Sequence, residues 1–122
     1  MDAKSRLINQ ERKSTMYQYA ALVTNVVDGD TVDLLVDLGF KVQIKQRIRL
    51  ARIDTPERTQ EKFAEAKQFV RDMIFDTQVI LETRKVSKFG YYLGEIYTTD
   101  GKNVSDALLA AKLAKPYDGG AK

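Results

Sequence analysis

Val32-Asp33-Leu34-Leu35-Val36-Asp37, then Gly39, then Lys41-Val42-Gln43-Ile44-Lys45-Gln46-Arg47-Ile48-Arg49-Leu50 is the stretch on which the fold turns. Val32, Leu34 and Val36 alternate with Asp33 and Asp37, the period of a half-buried strand. Gly39 permits a tight reversal. The next run sets Val42, Ile44, Ile48 and Leu50 on one face and Lys41, Gln43, Lys45, Arg47 and Arg49 on the other. Two period-two runs around a glycine predict two neighbouring strands that share one core.

Upstream, residues 17–27 are rich in aromatic and β-branched side chains and end at Asp28-Gly29-Asp30, a turn signal. Downstream, over 61–75, the period changes. Phe63, Ala66, Phe69, Val70, Met73 and Ile74 recur at three- and four-residue steps, which predicts an amphipathic helix. Residues 78–83 and 92–98 read as strands, with a basic, glycine-containing loop over 84–91 between them. Asp100-Gly101 is a turn, and Asn103 caps a second helix that has Asp106 at its third position and ends by Pro116. Three strands, a helix, two strands and a helix give a mainly β chain with helices, of the α+β class. The expected architecture is the OB-fold, a five-stranded Greek-key barrel with one helix between strands three and four and another at the C-terminal end. It occupies residues 17–117, after a polar arm (1–16) and before a flexible tail (118–122).

Composition narrows the chemistry. The chain has 122 residues, 43% hydrophobic and 30% charged, so one self-sufficient core is expected. It has no cysteine, which excludes disulfides and thiolate chemistry, and no histidine, which removes the commonest metal ligand and general base. Carboxylates, arginine, lysine and tyrosine remain, and a hard cation such as calcium or magnesium fits that inventory where zinc or copper does not. The net charge of +3 permits a nucleic-acid partner. No apolar run has the length of a signal peptide or membrane span, so the expectation is a cytoplasmic chain with no membrane partner.

Taken alone, Asp28-Gly29-Asp30-Thr31 is a hairpin turn, Asp54-Thr55-Pro56-Glu57 is a strand exit, and the basic face of 41–50 is a solvated surface. Together they say more. Asp30 and Asp54 end strands that belong side by side in one barrel, and two carboxylates with a backbone carbonyl and waters suit Ca²⁺. Glu57 follows Asp54 by three residues and Arg49 precedes it by five, which sets a base and a phosphate-binding fork around one ion. That combination matches phosphodiester hydrolysis. Lys41, Lys45, Arg47, Arg49 and Arg52 lie in a span, 41–53, that contains no acid, a stripe suited to the backbone of single-stranded DNA or RNA.

Val26-Val27-Asp28-Gly29-Asp30-Thr31-Val32, Arg49-Leu50-Ala51-Arg52-Ile53-Asp54-Thr55-Pro56-Glu57, Lys88-Phe89-Gly90-Tyr91-Tyr92-Leu93-Gly94 and Asn103-Val104-Ser105-Asp106-Ala107-Leu108-Leu109 follow in that order. Over about residues 19–117 the chain closely resembles the staphylococcal-nuclease (thermonuclease) family. The resemblance implies an OB-fold nuclease that uses Ca²⁺ and cuts DNA and RNA with little sequence preference, leaving 3′-phosphates. It further implies metal binding by Asp30, Asp54 and the Thr55 carbonyl, with Glu57 as general base and Arg49 as the first phosphate-binding arginine. Lys88 matches a lysine that contacts a terminal phosphate, and Phe89 stands where the best-known members carry tyrosine. The main departure is Tyr91, at the position of the family's second catalytic arginine. A tyrosine offers one neutral hydrogen bond where arginine offers a charged fork. Arg84, Lys85 and Lys88 are candidates to replace it from the same loop. Lys112 stands where relatives commonly have glycine. Two readings stay open: a Ca²⁺-dependent endonuclease slowed by Tyr91, and a non-catalytic module in which Phe89, Tyr91 and Tyr92 stack on nucleic acid or meet a protein partner. A third makes Tyr91 the lesion in a variant of an active parent. A monomer is expected.

Overall fold

The reversal at Gly29 and Asp30 joins β1 (Gln18–Asp28) to β2 (Thr31–Asp37), and β3 (Gln43–Leu50) returns antiparallel beside β2. The computed structural model describes residues 17–86 and 92–117, with only the backbone described for 85 and 86. Closure of the sheet depends on β6 (Tyr92–Thr98): Tyr92, Leu93 and Gly94 pair in parallel with Ile48, Arg49 and Leu50. β5 (Gln78–Val86) then bonds to both β6 and β1, and the ring runs β1-β2-β3-β6-β5. Along the chain, helix α1 (Phe63–Ile74) lies between β3 and β5, and α2 (Val104–Ala110) follows β6. This is the closed five-stranded OB-type barrel expected from the sequence.

Alternation dictates the inside of the barrel. Val32, Leu34 and Val36 of β2 are buried, as are Ile48 and Leu50 of β3. Ala66, Val70 and Ile74, four residues apart on α1, form its buried stripe, and Val104 and Leu108 do the same for α2. Each fully buried Leu or Ile in this core contributes about 1.5–3 kcal/mol relative to exposure. Asn103 caps α2 as expected, its side chain accepting from the Asp106 N–H at 2.9 Å.

Four details correct or refine the sequence reading. Val42 is 48% exposed because it lies on the hairpin tip, beyond the barrel body. Residues 84–86 extend β5 and are not part of a loop. Helix α2 ends at Ala110, well before Pro116, because Lys112 turns the chain with φ of +60° where glycine is the usual residue. Finally, β4 (Ile53–Asp54) and β7 (Lys115–Pro116) form a separate antiparallel pair, each too short to leave a period in the sequence. The arm 1–16, the tail 118–122, and Lys88, Phe89 and Tyr91 lie outside the described residues.

Gly29 matters for space. A Cβ added there would lie 2.9 Å from Ala66 Cβ and 3.2 Å from Thr55 Cβ, so the turn passes against both α1 and the Thr55 segment. Gly29→Ala should therefore lower stability by about 1–3 kcal/mol, the usual cost of overpacking. Urea unfolding of the two proteins measures this, and equal midpoints would count against so close an approach.

Candidate functional site

Asp30 is held in place at the first turn. Its carbonyl accepts from Leu50 N–H at 2.7 Å, tying the turn to the end of β3. Arg49 stands opposite Thr31 in the β2–β3 register and reaches both acids, with Nη1 3.3 Å from Asp30 Oδ2 and Nη2 3.3 Å from Asp54 Oδ1. The Thr55 N–H also donates to Asp30 Oδ2, at 3.3 Å. The Tyr117 ring centroid lies 5.6 Å from Arg49 Cζ, within cation–π range. Glu57 is exposed, and its N–H donates to Gln60 Oε1 at 2.7 Å. Asp28, Asp30, Arg49, Asp54, Thr55 and Glu57 all line one cleft of about 430 Å³, together with Arg58. Residues expected from three separate segments thus meet in one place.

The rest of the expected stripe is arranged differently. Arg47 does not line the cleft; it forks onto Asp33 at 2.8 and 3.2 Å, and this bond outweighs burial to hold the Asp33 carboxyl below its usual range. Arg52 leaves the stripe altogether. A larger groove, about 590 Å³ and lined by Phe69, Met73, Thr98 and Lys102 among others, has polar groups that pair with one another, Asp100 with Thr98 and Lys102.

The donor chemistry suits a hard cation. One oxygen of Asp28 is buried at the cleft with no hydrogen-bond partner among the described residues, a position that costs about 1–3 kcal/mol unless something polar meets it. No three acidic side chains among the described residues converge as a ready-made cage. The Arg49 guanidinium instead holds Asp30 and Asp54 together, so a cation would compete with it for the same oxygens.

A second network fixes the backbone between Arg49 and Asp54. Glu95, only 1% exposed, accepts from Arg52 Nε at 2.6 Å and Nη2 at 3.0 Å and from Asn103 Nδ2 at 3.1 Å, and lies 3.2 Å from Arg84 Nη2. Arg52 Nη2 also donates to Asp106 at 2.9 Å. Burial alone would push the Glu95 carboxyl up, but Arg52, Asn103 and Arg84 together hold it below the ordinary range. The same bonds raise Arg52 further above arginine's already high range. Arg52 itself sits at φ of +71° on the reversal that carries β3 into β4. The reversal is closed by Ala51 N–H to Gly94 O (2.9 Å), Ser105 Oγ to Ala51 O (3.0 Å) and Tyr117 N–H to Arg52 O (2.8 Å). Arg84, expected as a stand-in for the second arginine, is committed to this network. Sequence reading missed Glu95 and Tyr117 because neither belongs to a local motif.

A closed barrel of the oligonucleotide-binding type, with carboxylates and arginines gathered in one cleft, defines the class of domain. Residues 47–120 match the staphylococcal nuclease homologue family, and the chain belongs to that family. It is 36% identical over 75 residues to a micrococcal nuclease of Shigella flexneri, covering 62% of this chain and 40% of that protein. It is 30% identical over 96 residues to an uncharacterized endonuclease of Escherichia coli O157:H7 (79% and 60% covered). Over 105 residues it is 30% identical to protein ParB of Escherichia coli (78% and 55% covered). The chain spans about half the length of these curated relatives. No helix among the described residues is long and apolar enough to cross a membrane.

Because the Glu95 carboxyl is depressed below its ordinary 4.5, its contribution to stability is complete above that pH and drains away as pH falls through the folded value. Glu95→Gln should destabilise the domain at neutral pH by less than the ~3–5 kcal/mol of a fully buried pair, since Arg52 is partly in solvent. The gap between variant and wild type should narrow on acidification below about pH 4.5. Denaturant unfolding across pH 7 to 3 reads both, and a gap that stays constant contradicts the assignment.

Proposed function

We propose that this nuclease-family domain hydrolyses phosphodiester bonds of single-stranded DNA or RNA, with Ca²⁺ held by Asp30, Asp54 and the Thr55 carbonyl. The observation that carries the reading is the meeting of Asp30, Arg49, Asp54, Thr55 and Glu57 in one cleft. Bound there, the cation would offset negative charge on the phosphate oxygens and polarise a water. Glu57, exposed at the cleft, takes the proton from the attacking water. Arg49 offers a planar fork whose hold strengthens as charge builds on the phosphate. Arg58, which lines the same cleft, adds a further cation.

The test is digestion of single-stranded DNA with Ca²⁺ and with EDTA, beside Glu57→Ala. Cleavage should need Ca²⁺ and fall about 10²- to 10⁴-fold in the variant, the usual contribution of a general base. Metal-independent cleavage, or full activity in Glu57→Ala, contradicts the mechanism.

Tyr91 favours the second reading, a module that binds without cutting, because a neutral phenol replaces a charged fork at that sequence position. Tyr91→Arg separates the two. If the missing arginine is the main deficit, the substitution should raise Ca²⁺-dependent cleavage by orders of magnitude, within the ~10³ to 10⁵ range typical of catalytic arginines. Cleavage that stays at the EDTA level in a folded variant supports the binding module.

A further inference from the structure

The β2–β3 hairpin carries a surface that the cleft chemistry does not use. Beyond the barrel the chain reverses over Leu38-Gly39-Phe40-Lys41-Val42, and Leu38, Phe40 and Val42 are 40%, 100% and 48% exposed. The tip is tied closely. Leu38 N–H donates to Val42 O at 2.8 Å, Val42 N–H to Gly39 O at 2.9 Å, and Gly39 N–H to Asp37 Oδ1 at 2.8 Å. Gly39, Phe40 and Lys41 all take positive φ, of 82°, 54° and 63°. Residues with side chains adopt that region rarely, and here it holds an aromatic ring wholly in water, with no return to the core.

The tip is joined to the cleft by a line of cations. On the outward side of β3, Lys45, Arg47 and Arg49 follow at two-residue steps, paired in register with Leu35, Asp33 and Thr31 of β2; Arg47 is already forked onto Asp33, and Arg49 onto Asp30 and Asp54. Arg49 ends this line in the cleft, and Lys41 begins it at the tip. Lys41 and Lys45 are exposed and form no ion pair with the described residues. From Gln43 to Arg49 the strand spans about 20 Å at its usual rise.

We propose that Phe40 is a stacking platform for a base of a single strand whose phosphates follow the β2–β3 ribbon out of the cleft. The proposal rests on the nucleic-acid reading of that cleft and assigns it a longer footprint, within the several nucleotides an OB-type barrel commonly engages. The file of cations running back to the cleft is what favours a strand. A lipid surface would be met by cations ringing the tip, whereas a file tracks a backbone.

The chain contains no tryptophan, so Phe40→Trp introduces a unique indole at the tip, which can be excited at wavelengths where the six tyrosines do not absorb. In EDTA, which leaves the strand uncut, its emission should be quenched by an oligothymidine about a dozen residues long and left unmoved by a dinucleotide, which cannot reach from cleft to tip. Phe40→Ala should weaken binding of the long oligonucleotide by about five- to a hundredfold, the range measured for loss of one base–aromatic stack. The preference of the protein for the long strand over the dinucleotide should shrink by the same factor. An unmoved indole together with an unchanged preference in Phe40→Ala overturns the platform while leaving the cleft reading intact. Wild-type protein that binds neither oligonucleotide, in EDTA or with Ca²⁺ present, overturns both. A blue shift with phosphatidylserine vesicles and no response to the oligonucleotide assigns the tip to a membrane surface and overturns the platform.

Discussion

Glu95 is a carboxylate almost sealed from water, and a charge in that position must be met by opposite charge at close range. Arg52 and Arg84 meet it, and Asn103 completes the set. Much of the site's geometry follows from that one requirement. To reach Glu95, Arg52 adopts a left-handed backbone, and the reversal it makes puts Arg49 and Asp54 on either side of a sharp corner. Arg52 and Asn103 also draw Asp106 into the network, so helix α2 is anchored to the same point by a charge as well as by its buried Val104 and Leu108. The cost of keeping a non-glycine residue at that φ, on the order of 1–3 kcal/mol, is offset by the bidentate ion pair.

At the cleft the balance of charge is close. Asp30 and Asp54 share one guanidinium, and the ring of Tyr117 backs it. An arginine held this way is pre-oriented but partly neutralised, and its pull on any further anion depends on what else engages the two carboxylates. The Asp28 oxygen that has no hydrogen-bond partner among the described residues lies on this same cleft.

Much of the barrel was legible because it is built from local periods. The alternation of Val32, Leu34 and Val36, the four-residue steps of Ala66, Val70 and Ile74, and the Asn103 cap are properties of short windows, and each recurs in the structure. The site motifs were legible for a similar reason, since Asp28-Gly29-Asp30 and Asp54-Thr55-Pro56-Glu57 are contiguous. What sequence reading lost was pairing at long range. Arg52 looked like one more cation in an acid-free span, because its partner lies 43 residues away. Glu95 within Leu93-Gly94-Glu95-Ile96 belongs to no local motif, and nothing in that window signals its burial beside Arg52. Val42 kept the period of β3 but lies past the end of the barrel, where period no longer implies burial. Pairs as short as β4 and β7 have no period at all.

The brace formed by β7 and Tyr117 also sets when the cleft is complete. Lys115 pairs with Asp54, Tyr117 N–H bonds the Arg52 carbonyl, and its ring lies over Arg49. These contacts join residues more than sixty positions apart in the chain. During synthesis, the segments bearing Asp30, Arg49, Asp54 and Glu57 leave the ribosome well before residues 115–117, so the corner they share stays without its last supports until the end of the domain emerges.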